Sequence, residues 1–142
     1  MGINMSDEYK IVERSPTVKE YQKLRKATGW KKIEPESIKI GLYNTLYSIC
    51  VIFKDNIVGC GRVIGDGSIY FYIQDIIVLP EFQRKGIGKL IMNSIIDYLK
   101  THAHQKSFIG LMAAEGVSKF YEKFGFTERA PDMPGMFMYF EK

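Results

Sequence analysis

Cysteine and histidine are scarce in this chain, with two of each in 142 residues. Cys50 and Cys60 fall in separate strand-like segments without CxxC or Cys/His spacing, and His102 and His104 stand together just past a predicted helix end. Such a set does not furnish the ligands of a structural zinc site, so no metal is expected. The two thiols read as buried and free in a reducing compartment, which implies a cytoplasmic placement; the two histidines read as surface residues. No stretch approaches the apolar length that a membrane span requires, and the N-terminus has no apolar signal core, so no membrane partner is expected. Repeats, low-complexity tracts and Pro/Ser-rich linkers are also missing, which makes 1–142 a single expected domain. The run Met1-Gly2-Ile3-Asn4-Met5-Ser6 satisfies an N-myristoylation spacing, a short pattern that arises often by chance, and Met5 is an equally good start.

What is present is an ordinary globular composition, 46% hydrophobic and 25% charged, with room for a self-sufficient core. The net charge of +4 and pI near 9.0 suit an anionic small ligand and would also suit weak nucleic-acid binding. No Lys/Arg run reaches five residues and no basic helix stands out, so nucleic acid is set aside as a partner.

Thr17 and Glu20 form a capping-box pair behind Pro16 and open a helix that ends near Gly29. A second helix is expected from Pro35 to about Tyr43. A meander follows: Tyr47–Lys54, a turn at Asp55-Asn56, Ile57–Ile64, a turn at Gly65-Asp66-Gly67, then Ile69–Val78. From Gly86 the period changes, and Ile87, Ile91, Ile95 and Leu99 recur every four residues, with Leu90 and Tyr98 on the same stripe of an amphipathic helix. Ser107–Ala113 reads as a short strand, Glu115–Phe124 as a helix stopped by Gly125, and Phe126–Arg129 with Gly135–Phe140 as a closing strand pair. The strand–helix–strand unit in the middle implies a parallel pairing inside a mostly antiparallel sheet. The expected fold is therefore α+β, a single mixed twisted sheet with helices on both faces. The apolar final strand Gly135–Phe140 would leave an edge that invites pairing, and a homodimer is expected from it.

The most informative segment runs from Val78 through Gly88, a strand end passing through a glycine-bearing turn into a helix. Gly86 and Gly88 let the backbone approach a ligand without an intervening Cβ. The first N–H groups of the following helix have no internal partners and lie at the positive end of its dipole, which makes a seat for a phosphate. Arg84, Lys85 and Lys89 surround it with charge. A plain β-to-α turn with glycines for close packing would look much the same. A dinucleotide fingerprint lacks its third glycine here, and a Walker loop fails because Gly88-Lys89 is followed by Leu90.

Gln83-x-x-Gly86-x-Gly88 after Val78-Leu79-Pro80 resembles the coenzyme A signature of the GCN5-related N-acetyltransferase (GNAT) superfamily, and Phe120-Tyr121 followed by Gly125-Phe126 resembles its second landmark. The resemblance covers about Tyr47 to Phe126. It implies transfer of an acetyl group from acetyl-CoA to a primary amine, small molecule or protein, by direct attack in a ternary complex. Backbone groups of Ile76, Ile77 and Val78 would meet the pantetheine arm where a bulge splays this strand from Ser107–Ala113. Gln83, Arg84, Lys85, Gly86, Ile87, Gly88 and Lys89 would hold the pyrophosphate, Ser118 joins the cofactor contacts, and Tyr121 would protonate the leaving thiolate. An aromatic packing residue is the structural alternative for Tyr121. A non-catalytic acyl-CoA sensor or interaction module on the same fold is the functional one.

The acceptor side is less defined. Trp30, Tyr43, Tyr72, Gln74 and Met136 are its candidate residues, with core packing as the alternative. Alternation puts Tyr72 and Gln74 on one face of their strand and Asp75 on the other. Some relatives carry histidine or glutamate at the places of Tyr72 and Gln74, and many carry asparagine at that of Ala114. Asp75 and Glu115 are weaker candidate bases, each also a natural hydrogen-bonding structural carboxylate, so a water-mediated base is expected.

Overall fold

Thr17 decides where the first helix begins. Its side chain accepts from the Glu20 amide at 3.1 Å while the Glu20 carboxylate accepts from the Thr17 amide at 2.8 Å, closing a reciprocal cap. Helix α1 (Val18–Thr28) runs from this box to Gly29, whose left-handed conformation (φ 76°) ends it. Pro35 starts α2 (Pro35–Tyr43), where its missing N–H is not needed. Both helices lie where the sequence places them. The computed structural model describes residues 9–142; the Met1–Ser6 pattern and the alternative start at Met5 lie outside them.

The meander forms as β2 (Tyr47–Phe53), β3 (Asn56–Gly65) and β4 (Tyr70–Val78), all antiparallel neighbours. A short strand β1 (Lys10–Val12), not anticipated, pairs antiparallel with β2. After β4 a single 3₁₀ turn (Pro80–Phe82) leads into α3 (Ile87–His102), and β5 (Phe108–Leu111) returns beside β4. The sheet is mixed, in the order β1-β2-β3-β4-β5, and the fold is α+β as expected. His102 lies inside the last turn of α3 rather than beyond it, its ring stacked on Tyr98 at 4.2 Å.

Successive residues of β3 show which helices cover which face. At Gly61 a Cβ would lie 2.6 Å from Ile91 Cγ2 and 2.7 Å from Ile76 Cδ1, so α3 covers that face at close approach. Arg62, one residue on, reaches the Gly41 carbonyl of α2 on the other face. Helices thus cover both faces. The buried stripe of α3 (Ile87, Ile91, Met92, Ile95, Leu99) supplies the first layer of core, and Tyr21, Ile38 and Leu42 with Val18 supply the second. Cys50 and Cys60 are both buried and free, and they are register partners across β2 and β3.

Residues up to Gly110 form one compact unit and Leu111–Lys142 a second, smaller one. The second unit departs from expectation. Its helix, α4, spans only Ser118–Glu122, because Gly116 is left-handed (φ 79°) and a helix cannot run through it. Glu115 therefore stands outside the helix. Phe126–Arg129 and Gly135–Phe140 form no strands: a strand exists only as part of a ladder, and Pro131 and Pro134 remove donors beside both segments. Met136, Phe137, Met138, Tyr139 and Phe140 are exposed. The edge-strand argument for a homodimer consequently has no strand behind it.

Gly61→Ala should lower stability by about 1–3 kcal/mol, the usual cost of inserting a methyl into a packed layer. Urea unfolding should show a lower midpoint at unchanged slope, and an unchanged midpoint would mean that α3 is not held so closely.

Candidate active site

The glycine turn forms as a sequence of unusual backbone conformations. Arg84 and Gly86 both have positive φ, 63° and 87°. No side chain caps α3, and its first intrahelical bond runs from the Leu90 amide to the Gly86 carbonyl at 3.1 Å. The amides of Ile87, Gly88 and Lys89 precede that bond and have no helical partners. This is the arrangement that a pyrophosphate requires, with Arg84, Lys85 and Lys89 alongside. Gln83 braces it from behind: its Nε2 donates to the Val78 carbonyl at 3.0 Å and ties the turn to the end of β4. Ile87, only 1% exposed, anchors the start of α3 in the core, so the seat stands on a rigid element.

Strand β4 carries a bulge next to this turn. Cys60 pairs with Ile77 and Arg62 with Gln74, so Asp75 and Ile76 together oppose the single residue Gly61. Asp75 takes up the extra residue with φ 57°, a left-handed conformation rare for a side-chain-bearing residue within a strand. This overturns the alternation argument. Asp75 lies on the same face as Tyr72 and Gln74, because the bulge shifts the alternation by one residue from Asp75 onward, and Ile76 takes the α3 face. Outside the bulge, Tyr72 and Gln74 are half-buried, while Ile77 and Val78 remain paired in register with β3. The other edge of β4 meets β5 near its beginning, where the Phe108 amide donates to the Ile69 carbonyl at 2.7 Å. β5 has four residues against nine in β4, so among the described residues it leaves the Ile76–Val78 end of that edge without a strand partner.

Asp75 is 3% exposed and its carboxylate is fully engaged. Oδ2 accepts from the Tyr21 hydroxyl at 2.7 Å and from Arg62 Nε at 2.7 Å, and Oδ1 accepts from Gln74 Nε2 at 3.3 Å. Arg62 extends the network to the Gly41 carbonyl at 3.2 Å and the Thr45 hydroxyl at 3.0 Å. Burial works against the Arg62 charge, but the hydrogen bond and attraction to Asp75 outweigh it and hold its pKa above the usual arginine value. Burial, then the charge and hydrogen bond of Asp75, push Tyr21 up to about 12. This is the geometry of a structural carboxylate, the second of the two readings open for Asp75. Of these partners Tyr21 and Arg62 escaped the sequence reading, although an arginine in the middle of an apolar strand was a legible sign of a buried ion pair.

The remaining acceptor-side residues separate. Trp30 is partly exposed and carries the Arg25 guanidinium over its ring at 5.4 Å; the same guanidinium lies 5.7 Å from the Tyr21 ring. Tyr43 is 87% exposed at the end of α2, which rules out core packing for it. In the second unit, Ser118 opens α4 and Tyr121 is held edge-on by Phe120 at 5.0 Å and Phe126 at 6.3 Å. The Phe126 amide donates to the Tyr121 carbonyl after left-handed Gly125. Burial raises the Tyr121 pKa. Met136 is 86% exposed. No group of three or more acidic, histidine or cysteine side chains able to hold a metal occurs among the described residues, and no helix among them is long and apolar enough to cross a membrane.

Residues 45–128 match the family described as Acetyltransferase (GNAT) domain. An uncharacterized N-acetyltransferase, ycf52 of Porphyra purpurea, is 30% identical over 141 residues, covering 96% of this chain and 80% of its own. A probable acetyltransferase of unknown function from meticillin-resistant Staphylococcus aureus superposes with a TM-score of 0.88 at 36% identity, covering 93% of this chain and 99% of that one. A GNAT family acetyltransferase from Streptococcus pneumoniae gives 0.79 at 27% identity, covering 94% and 99%. The chain belongs to the GNAT acetyltransferase family.

The Tyr21 contact has a measurable pH signature. A folded-state pKa near 12 against about 10 in the unfolded chain means that between these values the unfolded chain has lost a proton that the folded one keeps. Stability from this group is complete below about pH 10 and is lost as pH rises toward 12, by on the order of 1–2 kcal/mol after solvent screening. Tyr21→Phe should be less stable at pH 7 and should close part of the gap to the parent by pH 12. Parallel stability curves over that window would exclude the contact.

Proposed function

We propose that this protein transfers the acetyl group of acetyl-CoA to a primary amine by direct attack, within a single domain. The observation that carries the reading is the uncapped, left-handed turn into α3 immediately beyond the bulged end of β4. The family match, residues 45–128, runs across the division at Gly110 and supports treating the two units as one domain. Acetyl-CoA would supply an activated thioester carbonyl. The amides from Arg84 to Lys89, with the Arg84, Lys85 and Lys89 side chains, would neutralise its pyrophosphate. The backbone of Ile76–Val78 would line its pantetheine arm, and Ser118 would add a contact.

Tyr121 is the proton source. Its phenol is protonated at neutral pH, burial raises its pKa further, and the flanking Phe120 and Phe126 rings restrict its orientation. A phenol at about 10 protonating a thiolate of about 8.5 is uphill by about 2 kcal/mol, a tolerable barrier that burial raises further. The incoming amine must lose a proton from an ammonium of pKa near ~10. Tyr72 and Gln74 are neutral and Asp75 is committed to Arg62, so the proton leaves through water. Tyr72, Gln74 and Trp30 form the acceptor side of this reading. The buried thiols, free of a disulfide, suit a reducing compartment, the cytoplasm or, as the name of a relative in Arabidopsis thaliana has it, the chloroplast.

Acetyl-CoA at a hundredfold excess over its dissociation constant should stabilise the fold by about 2.7 kcal/mol. Gly86→Glu, which puts a side chain and a negative charge into the seat, should abolish the thermal shift; a parent protein whose melting ignores both acetyl-CoA and CoA would remove the proposal. Tyr121→Phe should keep the fold and the thermal shift while lowering kcat by roughly 10²-fold at nearly constant acceptor KM. Full turnover in this variant, where chemistry limits the rate, would make Tyr121 a packing residue.

A further inference from the structure

We infer that Asp75 is a positioning residue: the hydrogen bonds it accepts from Tyr21 and Arg62 hold the β4 bulge in place and tie the cofactor strand to the two acceptor-side helices. The inference rests on the reading that Ile76–Val78 line the acetyl-CoA site.

The bulge has to put one extra residue somewhere. On the α3 face there is no space for it, since even a Cβ on Gly61 would lie 2.6 Å from Ile91 and 2.7 Å from Ile76. The extra side chain is therefore forced to the face of α1 and α2, and here a left-handed backbone turns it there. Asp75 adopts that conformation at φ 57°, which asparagine and aspartate tolerate better than most residues. An unpaired carboxylate at 3% exposure would be strongly unfavourable there. The Arg62 guanidinium and the Tyr21 hydroxyl, each at 2.7 Å, satisfy it.

Those partners come from separate elements. Tyr21 belongs to α1, and Arg62 belongs to β3 while also holding the last part of α2 through Gly41 and the α2–β2 joint through Thr45. One carboxylate thus joins α1, α2 and β3 at the residue immediately before Ile76. A displacement of α1 or α2, such as an acceptor wedged between them would cause, reaches the backbone of residues 76–78 through two short hydrogen bonds. Cys60 adds a further tie from β3, its Sγ donating to the Asp75 carbonyl at 3.3 Å.

The test is a series at position 75 read by calorimetric CoA affinity and by amide exchange at Ile76–Val78. Asp75→Asn keeps an acceptor oxygen and tolerates the left-handed backbone, so CoA affinity should stay within about threefold. Asp75→Gly keeps the backbone freedom but removes the carboxylate that Tyr21 and Arg62 share. This loss should weaken CoA binding by about tenfold and speed exchange at residues 76–78. Tyr21→Phe, remote from the cofactor seat in sequence, should weaken binding in the same direction by about threefold. If Asp75→Gly matches the parent in affinity and exchange, the backbone conformation alone suffices and the positioning role is overturned. Should Asp75→Gly not fold, parental exchange at residues 76–78 and parental CoA affinity in Tyr21→Phe overturn it instead. Gly86→Glu separates this failure from that of the underlying reading: if it leaves CoA affinity unchanged, the seat has been misplaced.

Discussion

The geometry of the site depends on accommodating one surplus residue in β4 while both faces of the sheet are already occupied. On one face, Ile76 and α3 crowd Gly61 so closely that not even a Cβ fits on it. On the other, the surplus side chain is a carboxylate that needs cationic and hydroxyl partners in a buried setting. These two requirements select each other. Close packing of α3 excludes the side chain from its face, and the polar cluster of Arg62 and Tyr21 makes the opposite face tolerable. The outcome is a strand whose last residues are rotated out of simple alternation next to the turn proposed to seat the cofactor.

A division of labour follows. The anion seat is made almost entirely of backbone and of a helix start fixed by the buried Ile87, so it asks little of side-chain identity beyond glycine at the turn. The proposed acceptor side, Tyr72 and Gln74 of β4 with Trp30 beyond α1, is made of side chains instead, beside a network held by a few hydrogen bonds and one ion pair. The first half suits a ligand shared by every member of a family. In the proposed reading, the second is where sequence change would alter which amine is accepted without disturbing the seat.

Local chemistry made much of this legible from the residues. The Thr17–Glu20 box, Pro35, the hairpin residues and the four-residue recurrence of isoleucines in α3 each act within a few positions, and each element appears where they place it. What was missed depends on partners distant in sequence. β1 is three residues that become a strand only because β2 is there to pair with. The closing strand pair looked convincing by composition, yet apolar residues without a ladder do not make strands. Asp75 was assigned to the wrong face because alternation assumes an unbroken strand, and a bulge is set by the fit against Gly61 and α3, which no local pattern encodes.

The two cysteines lead to a different kind of consequence. Cys50 and Cys60 sit side by side across β2 and β3, and burial pushes Cys50 up to about 11 and Cys60 well above the ordinary thiol range. In the closed fold at neutral pH neither offers a thiolate to a reagent in water. Labelling must wait for β2 and β3 to part, so its rate reports how often the centre of the sheet opens. The molecule thus carries its own chemical clock for breathing motions. While that clock is silent, any fast-reacting sulfur in an assay mixture comes from a source other than these two thiols.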